Sequence, residues 1–362
     1  MLFPYTYVSH QMDKMQEFIN FIFFEVWCEA PNSGAFSLEL FDANAELKEV
    51  MVAFHYSDSY GAEFFSGHVE RIYGLFAALD PAQINQLTLW YRANNNIERV
   101  CANDPAVDIA RYADIDAILP DLSAQLASFF KELYSQRFRN VAALRQKIGD
   151  IDDHYKAFMG VNRVGKCPFC GIADIKGIYH STREAYDHYL PKALYPFNSI
   201  NFHNLVPACH NCNSSYKTSK DPAYTPKDPA GEIHRRKVFY PYANPGHCIE
   251  LTVDLENSDI DHITPEEIRL TFGPLAIHEE IETWKDVYGI EDRYKAKFCD
   301  GDAKAWIEQI RILRDHGLPP QSSLSVVQEE TEIDPFANAN FLKNAFLKGC
   351  ERAGVIDILR QP

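Results

Sequence analysis

Apolar positions recur at helical spacing through the first part of the chain. Leu122, Leu126, Phe129 and Leu133 lie four, three and four residues apart, which places them on one face of a helix. The apolar run Phe18–Trp27 is interrupted by polar residues, and it is shorter than the roughly 20 residues that cross a bilayer. This run therefore predicts a buried amphipathic helix and not a membrane span.

Proline marks the starts of two further predicted helices. Asp80-Pro81 and Asp104-Pro105 each combine an N-cap residue with a proline at the first helical position. Clusters of Gly, Asn and Ser separate the helical stretches. Residues 1–155 are therefore predicted to form a helical domain, and no motif within them indicates chemistry.

The chain changes character between about residues 156 and 260. Short β-like runs are predicted at Ile175–Tyr179 and Asn204–Pro207, and two more at Val238–Tyr242 and Ile249–Val253. The helical pattern returns after about residue 261. We therefore predict an α+β protein that is predominantly helical, with a central domain at 156–260 between helical regions at 1–155 and 261–362.

Capping signals and periodicity organise the predicted C-terminal region. The segment Thr264–Glu267 is a capping box, with a threonine N-cap and a glutamate three residues later. Trp306 and Leu313 lie on one face of a later predicted helix. Residues 317–336, with Pro319, Pro320 and a run of serines, are predicted to be a loop. A last helix is predicted at Asn338–Ala353.

Length and composition fit an ordinary globular protein. The 362 residues suggest two or three domains, and 46% of them are apolar while 24% are charged. The first ten residues lack the basic start and apolar run of a signal peptide. We therefore expect a soluble, cytoplasmic protein without a membrane partner.

The charges are unevenly distributed along the chain, and this distribution bears on whether the protein binds nucleic acid. A net charge of −16 argues by itself against a nucleic-acid partner. Residues 163–240, however, carry 11 Lys or Arg and 6 Asp or Glu, a net charge of +5, whereas the rest of the chain carries −21. A basic island in an acidic chain fits one module that meets phosphates. A chance fluctuation in surface charge gives the same count.

Four of the nine cysteines fall in two Cys-x-x-Cys pairs. Cys167/Cys170 and Cys209/Cys212 are separated by 38 residues. Each pair forms a tight turn that directs two thiolates to one point, and two pairs make the closed tetrahedral site of structural zinc. A redox pair or incidental spacing are the alternatives. In an intracellular chain this spacing favours a structural zinc site with four cysteine ligands over disulfides.

Four polar residues lie between the cysteine pairs or directly after them. Asp187 and His188 are adjacent, Asn204 precedes an apolar stretch, and Asn213 follows Cys212. Taken singly, each has a structural explanation as a strand-end cap, a packed core histidine, a turn residue or a helix cap. Their order within the predicted zinc clamp favours a functional interpretation.

This combination resembles the HNH nuclease family, in particular bacterial members with an Asp-His-Tyr-Leu-Pro-Lys segment and a Cys-Asn-Ser segment between zinc knuckles. The match comprises Asp187-His188, Asn204-Leu205, the Cys-x-x-Cys-Asn segment ending at Asn213, and a downstream lysine. It covers about residues 165–220, extends weakly to Arg293, and does not cover the first 155 residues. Asn213 stands where the third histidine of the family name would be, a departure shared by many members.

The resemblance implies a ββα-metal core in which the zinc clamp pins a strand to a helix. Asp187 and His188 are then expected on the first strand, Asn204 in the loop and Asn213 on the helix. The resemblance also implies roles: His188 as general base, Asp187 and Asn213 as ligands of a catalytic Mg²⁺ or Mn²⁺, and Asn204 as the residue that orients His188.

Several basic residues near this core are candidates for binding nucleic acid. The expected phosphate contacts are Lys192, Lys217, Lys220 and Arg183. His180 and His203 flank the site and are weaker candidates. His210 lies inside a knuckle whose cysteines already fill the zinc shell, so it is expected on the surface. The basic run His234–Lys237 either extends the nucleic-acid track or forms a solvated turn.

The expected function is that of a metal-dependent endonuclease acting on phosphodiester bonds, most simply in DNA. An RNA-directed nuclease and a non-cleaving zinc-knuckle module that binds nucleic acid are the alternatives. The acidic helical flanks exceed what cleavage needs, and we expect them to dock a partner protein, oligomerise or restrain the nuclease. Many bacterial proteins of this resemblance belong to anti-phage defence systems, where restraint of this kind would be needed.

Overall fold

The helical spacing of the N-terminal region produces an array of mostly short helices. The computed structural model describes residues 1–355. The helices of this region are α1 (Lys14–Phe21), α2 (Ala30–Ser33), α3 (Ala45–His55), α4 (Tyr60–Phe76), α5 (Pro81–Asn95), α6 (Ile97–Cys101), α7 (Tyr112–Asp116), α8 (Pro120–Leu133), α9 (Gln136–Arg139), α10 (Ala142–Ile148) and α11 (Ile151–Val161). A π-helical segment, Ile22–Trp27, continues α1. The run Phe18–Trp27 is therefore helical, as predicted.

Aromatic side chains fill the core of this helical array. Trp27 is fully buried, stacks on Phe76 with ring centroids 5.8 Å apart, and donates its indole N–H to the carbonyl of Val69 at 3.0 Å. The predicted apolar face of α8 is also fully buried, with Phe129 packed edge-on against Trp27. At the start of α5, Asp80 accepts hydrogen bonds from the first turn, which confirms the predicted cap.

The central region contains one antiparallel pair of strands and a helical segment. Strand β1 (Ala185–His188) pairs with β2 (Leu205–Ala208), and His188 lies opposite Leu205 in the register. The chain then enters the π-helical segment Asn211–Lys217. The order strand, loop, strand, helix is the one expected from the sequence, although both strands are only four residues long.

The C-terminal region combines a second strand pair with helices. Its elements are β3 (Glu250–Leu255), β4 (Ile268–Gly273), α12 (His278–Tyr288), α13 (Ile290–Cys299), α14 (Gly301–Asp315), α15 (Pro320–Ile333) and α16 (Asn340–Arg352). The strands are antiparallel, and α16 packs across β3. Gly349 permits this close contact, because a Cβ at that position would lie 2.4 Å from the carbonyl oxygen of Val253. The two strands and these helices confirm a predominantly helical α+β fold.

Four local predictions are wrong. Residues 317–336 contain helix α15, because Pro320 occupies its first turn, where proline is well tolerated, and Leu324 and Val327 are buried at helical spacing. Asp104 caps a turn and not a helix: its carboxylate accepts from the amide of Ala106. The runs at 175–179 and 238–242 each end in a turn and have no strand partner among the described residues.

The Thr264–Glu267 capping box is present, yet it closes only a short 3₁₀ turn that leads directly into β4. Glu267 accepts from the Thr264 amide at 2.9 Å, as a capping box requires. The following residues Ile268, Leu270 and Phe272 are buried alternately, at strand spacing. This alternation determines the element that follows the cap.

The three regions share one hydrophobic core. The extended N-terminal segment runs along the central region, where the amides of Leu2 and Tyr5 donate to the carbonyls of Pro168 and Pro241 at 2.7 and 2.8 Å. From the other side, buried Asn94 on α5 donates to the carbonyl of Pro196 at 3.1 Å. The buried apolar residues of residues 1–355 form one continuous cluster. Among the helices of this described range, none is long and apolar enough to cross a membrane.

Candidate functional site

The four paired cysteines meet in the interior. Cys167, Cys170, Cys209 and Cys212 are buried, and their Sγ atoms all lie within 4.8 Å of one another. The Cys209 amide points at the Cys167 sulfur at 3.5 Å, and the Cys212 amide at the Cys209 sulfur at the same distance. Thiolates that accept backbone N–H groups in such a knuckle are suited to zinc. The cluster could hold one zinc ion in a closed shell.

Residues of the C-terminal helices anchor this cluster. Trp284 on α12 donates its indole N–H to the carbonyl of Phe169 at 2.7 Å, inside the first knuckle. Arg293 on α13 donates to the Cys212 sulfur at 3.3 Å and lies over the Tyr216 ring. Although burial opposes it, the thiolate of Cys212 raises the pKa of Arg293 above its usual value. A cation at this position offsets part of the negative charge of four thiolates.

Asp187 is enclosed between β1 and the helical segment. It is 2% exposed, and its Oδ1 lies 2.9 Å from the Nζ of Lys217, which is 0% exposed. Lys217 also donates to the backbone carbonyl of His188 at 2.8 Å. The other carboxylate oxygen, Oδ2, is buried without a hydrogen-bond partner in the described chain. Burial raises the pKa of Asp187, and the charge of Lys217 opposes this rise.

Lys217 is thus not available to contact a phosphate at the surface, contrary to the expectation from sequence. Its ammonium is committed to Asp187 and cannot leave without stranding a buried carboxylate. The expectation rested only on the position of this lysine downstream of the second cysteine pair. The helical turn between Asn213 and Lys217 instead points at β1, because this is the side on which the cysteine cluster holds the segment.

His188 is half-buried at the end of β1. Its Nε2 lies 2.9 Å from the carbonyl oxygen of Ser199, and its ring meets the edge of the Tyr134 ring at a centroid distance of 4.7 Å. A carbonyl oxygen only accepts, so Nε2 carries the hydrogen of the neutral ring and Nδ1 keeps the lone pair. Burial and the charge of Lys192 lower the pKa of His188 to about 3.

Asn204 holds the loop that follows His188. Its Oδ1 accepts from the Leu190 amide at 2.7 Å, while its Nδ2 donates to the carbonyls of Leu190 and Asn198 at 3.0 and 3.3 Å. The side chain is 0% exposed. It therefore ties the residues just after His188 to the residue just before Ser199. Any orientation of His188 by Asn204 acts through this loop and not by direct contact.

Asn213 lies in the first turn of the helical segment, directly after Cys212. It is half-buried, and its carboxamide has no hydrogen-bond partner among residues 1–355. Residues four apart on a helix share a face, so Asn213 lies one turn before Lys217 on the side that meets β1. The structure thereby places an unengaged side-chain oxygen on the helix face from which Lys217 reaches Asp187.

The remaining basic candidates have varied surroundings. Lys220 is exposed and donates to the carbonyl of Asp286 at 2.9 Å. Arg183 is half-buried and forms an ion pair with Asp152 at 2.6 Å. Lys192 is half-buried and donates to the carbonyl of Lys131 at 3.3 Å. Two of these three are thus held by the N-terminal helical region, which the sequence did not indicate.

The histidine candidates and the basic run are largely engaged in structure. His180 closes an exposed turn with Gly177, and His203 stacks on Tyr7 at a centroid distance of 4.0 Å. His210 is exposed, as expected. Within the run His234–Lys237, Arg235 donates to backbone carbonyls and Arg236 forms an ion pair with Asp286 at 2.7 Å. These two arginines bind the central region to its neighbours.

Sequence reasoning missed the partners that come from other parts of the chain. Tyr134 packs on His188, and Arg139 lies over the ring of Tyr134. Arg293, which the weak end of the resemblance reached without giving it a role, contacts the cysteine cluster. These residues lie 54, 49 and 81 positions from the residues they serve, namely His188 for the first two and Cys212 for the third. No local motif marks such contacts, because they exist only after the regions have packed together.

Comparison with known proteins gives little further information. No protein-family model matches the chain, and no solved structure matches it. Protein ea31 of Escherichia phage lambda is 47% identical over 53 residues, a stretch that covers 14% of this chain and 15% of the phage protein. The match is too short to define a family.

The buried ion pair provides a first test of the site. Replacing Lys217 with methionine is expected to lower the free energy of unfolding by about 3–5 kcal/mol, because Asp187 would remain buried without its counter-charge. Urea denaturation would measure the change. Lys220→Met is the matched control, since Lys220 is exposed, and its effect is expected to stay within about 0.5 kcal/mol. Equal effects of the two substitutions would contradict a buried pair.

Proposed function

We propose that this protein is a metal-dependent endonuclease of the HNH type that hydrolyses phosphodiester bonds, with DNA as its substrate. The observation that carries the proposal is the environment of His188. Its Nε2–H is fixed on the Ser199 carbonyl, so its Nδ1 is left as a proton acceptor at the end of β1. The antiparallel strands, the helical segment and the cysteine cluster around it support the same assignment.

The residues near Asp187 fit a hard divalent cation. The Oδ2 of Asp187 is a buried carboxylate oxygen without a hydrogen-bond partner in residues 1–355, and the carboxamide of Asn213 is likewise unengaged. Carboxylate and amide oxygens together with retained water are what Mg²⁺ and Mn²⁺ prefer. We assign Asp187 and Asn213 as the residues that would hold it. A bound cation would supply charge stabilisation of the phosphate and of the leaving oxygen.

The residues of the chain then have separate roles in the proposed reaction. His188 takes a proton from water at Nδ1, and the Ser199 carbonyl on Nε2 stabilises the resulting positive charge against the opposing effects of burial and of Lys192. Asn204 keeps that carbonyl in place through its bonds to Leu190 and Asn198, so it is a positioning residue. The cysteine cluster, with structural zinc bound, fixes the start of the helical segment beside β1.

One observation favours a second candidate, a zinc-knuckle module that binds nucleic acid without cleaving it. Asp187 is almost fully buried, and Lys217 already neutralises one of its oxygens. A carboxylate whose charge is compensated attracts a cation less strongly. If this pairing persists in solution, the protein would bind nucleic acid and show no metal-dependent cleavage.

Substrate profiling separates these candidates. Purified protein would be incubated with supercoiled plasmid, linear duplex, single-stranded DNA and RNA, each with Mg²⁺, with Mn²⁺ and with no divalent cation. We expect cleavage of DNA that requires one of the two metals. Preferential cleavage of RNA would redirect the proposal to an RNA nuclease. Binding without cleavage across all substrates and metals would favour the second candidate.

A further inference from the structure

An unusual group of cations surrounds Tyr134, the residue that packs on His188. The guanidinium of Arg139 lies 4.8 Å from the centre of the Tyr134 ring, and the ammonium of Lys192 lies 5.6 Å from it. Arg139 also donates its Nε–H to the Tyr134 carbonyl at 3.1 Å. Two cations therefore share one aromatic ring, and the edge contact of that ring with His188 brings them next to the proposed base.

Neither cation has an acidic partner. Arg139 is only 8% exposed, yet none of the described carboxylates lies within ion-pair distance of it, and its terminal nitrogens make no hydrogen bond within residues 1–355. Within residues 1–355, Lys192 donates only to the backbone carbonyl of Lys131. A buried guanidinium without a counter-charge is costly, and contact with an aromatic ring compensates only part of the cost.

The acidic residues nearby are engaged elsewhere or form no ion pair with this group. Asp150 is paired with Arg145, and Asp152 with Arg183. Glu132 lies close enough to act on the charge of Lys192, without forming an ion pair with it. Burial is the largest cause that lowers the pKa of both Arg139 and Lys192, and neighbouring cations lower it further. The group thus has an excess of positive charge.

An anion would complete this arrangement. A guanidinium with two free nitrogens can bind two oxygens of one phosphate, and an adjacent ammonium adds a third contact. The location beside His188 is where the strand bearing the scissile bond must pass. The preference for phosphate over carboxylate follows from the proposed substrate, a chain of phosphodiesters.

We propose that Arg139, Lys192 and Tyr134 form a phosphate-binding site beside His188, which holds a substrate phosphate next to the one that is cleaved. The inference rests on the proposed nuclease function and adds to it. Two of the three residues come from the N-terminal helical region, so this region completes the substrate site. Lys192, predicted from sequence as a phosphate contact, acts here together with an arginine that the sequence did not indicate.

Binding measurements test the site separately from catalysis. A fluorescein-labelled DNA oligonucleotide, single-stranded and duplex, would be titrated with full-length protein carrying His188→Ala, so that no cleavage intervenes. In this background, Arg139→Gln is expected to weaken binding about tenfold or more, since a charge-assisted bond is lost. The salt dependence should also weaken, because the slope of log K against log salt falls by about 0.9 per lost duplex phosphate contact.

Arg137→Gln is the matched control. Arg137 lies on the same helix α9, is exposed, and carries the same charge. It is expected to change binding by less than about twofold, because its exposed charge is screened by salt and its guanidinium lies over the Tyr60 ring, outside the group around Tyr134. Equal weakening by Arg137→Gln and Arg139→Gln would overturn the proposal, because a general loss of positive charge would then explain both.

A second variant guards against misfolding. If Arg139→Gln lowers the melting temperature so far that the protein is unfolded under assay conditions, Lys192→Gln decides, because the half-buried ammonium of Lys192 contacts a carbonyl and a ring and no carboxylate among the described residues. Unchanged affinity of Lys192→Gln would then refute the site. If the wild-type protein cleaves DNA but Arg139→Gln binds it as tightly as the Arg139 form does, the phosphate-binding site is refuted while the proposed function stands. If binding depends on Arg139 but the wild-type protein cleaves no substrate, the proposed function is refuted while the phosphate-binding site stands.

Discussion

Replacing His188 with alanine is expected to reduce the rate of DNA cleavage by about 10²–10⁴-fold, the usual contribution of a positioned general base. The physical reason is the fixed orientation of the ring. Because the Ser199 carbonyl holds Nε2–H, only Nδ1 can accept the proton of the attacking water. Without the ring, bulk water must take that proton. The measurement is a single-turnover cleavage assay with the metal that supports wild-type activity.

The control for this substitution is His262→Ala. The His262 side chain is 83% exposed and pairs with Asp259, three residues before it. This variant should cleave at the wild-type rate. Melting curves of both variants would show that the fold is retained. Added imidazole should restore part of the activity of His188→Ala alone, since a small base can occupy the space left by the ring. Undiminished cleavage by His188→Ala would eliminate His188 as the base.

Removal of one cysteine of the cluster should have the largest effect on stability. Cys209→Ala is expected to abolish the binding of one zinc equivalent and with it about 10 kcal/mol of apparent binding energy. This loss is comparable to the whole stability of a typical domain. The central region should therefore lose its structure, because its strands are four residues long and cannot hold a core alone.

Metal analysis and thermal unfolding would measure this effect, with Cys101→Ala as the control. Cys101 is also buried, at 1% exposure, but lies outside the cluster. It loses the same atoms on substitution and should cost about 1 kcal/mol while zinc is retained. Similar melting temperatures and equal zinc contents of the two variants would contradict zinc binding by the four cysteines.

The sequence was most informative where a signal is local. The two cysteine pairs and the apolar face of α8 are patterns within short windows. The order of the two strands and the helical segment was instead implied by the resemblance. The capping box at Thr264 shows the limit of such signals. It is formed as predicted, but the alternation of Ile268, Leu270 and Phe272 turns the following residues into a strand. A capping box shows where a helical turn begins, but it does not determine whether the residues after that turn form a helix or a strand.

The features that the sequence did not predict depend on contacts between segments that are far apart in the chain. Lys217 was expected to contact a phosphate, because its own segment gives no sign of the aspartate on β1 with which it pairs. Tyr134 and Arg139 belong to a helical region without any motif, and their proximity to His188 arises from the packing of α8 and α9 against the loop after β1. The burial of charge at both places is a property of the assembled core, which residue spacing does not encode.

The continuous core has a consequence for how this protein can be altered. Leu2 and Tyr5 form hydrogen bonds with the central region on one side, and Asn94 does so on the other. The proposed site therefore does not lie in a module that can be separated from the rest of the chain. A fragment starting near Asp150 would lose these partners and is expected to aggregate. Chimeras that exchange residues 1–155 between related chains should fold only if the central-region residues that pack against this region are exchanged as well. The sequence of the N-terminal helical region can therefore diverge only together with the central-region residues that it packs against.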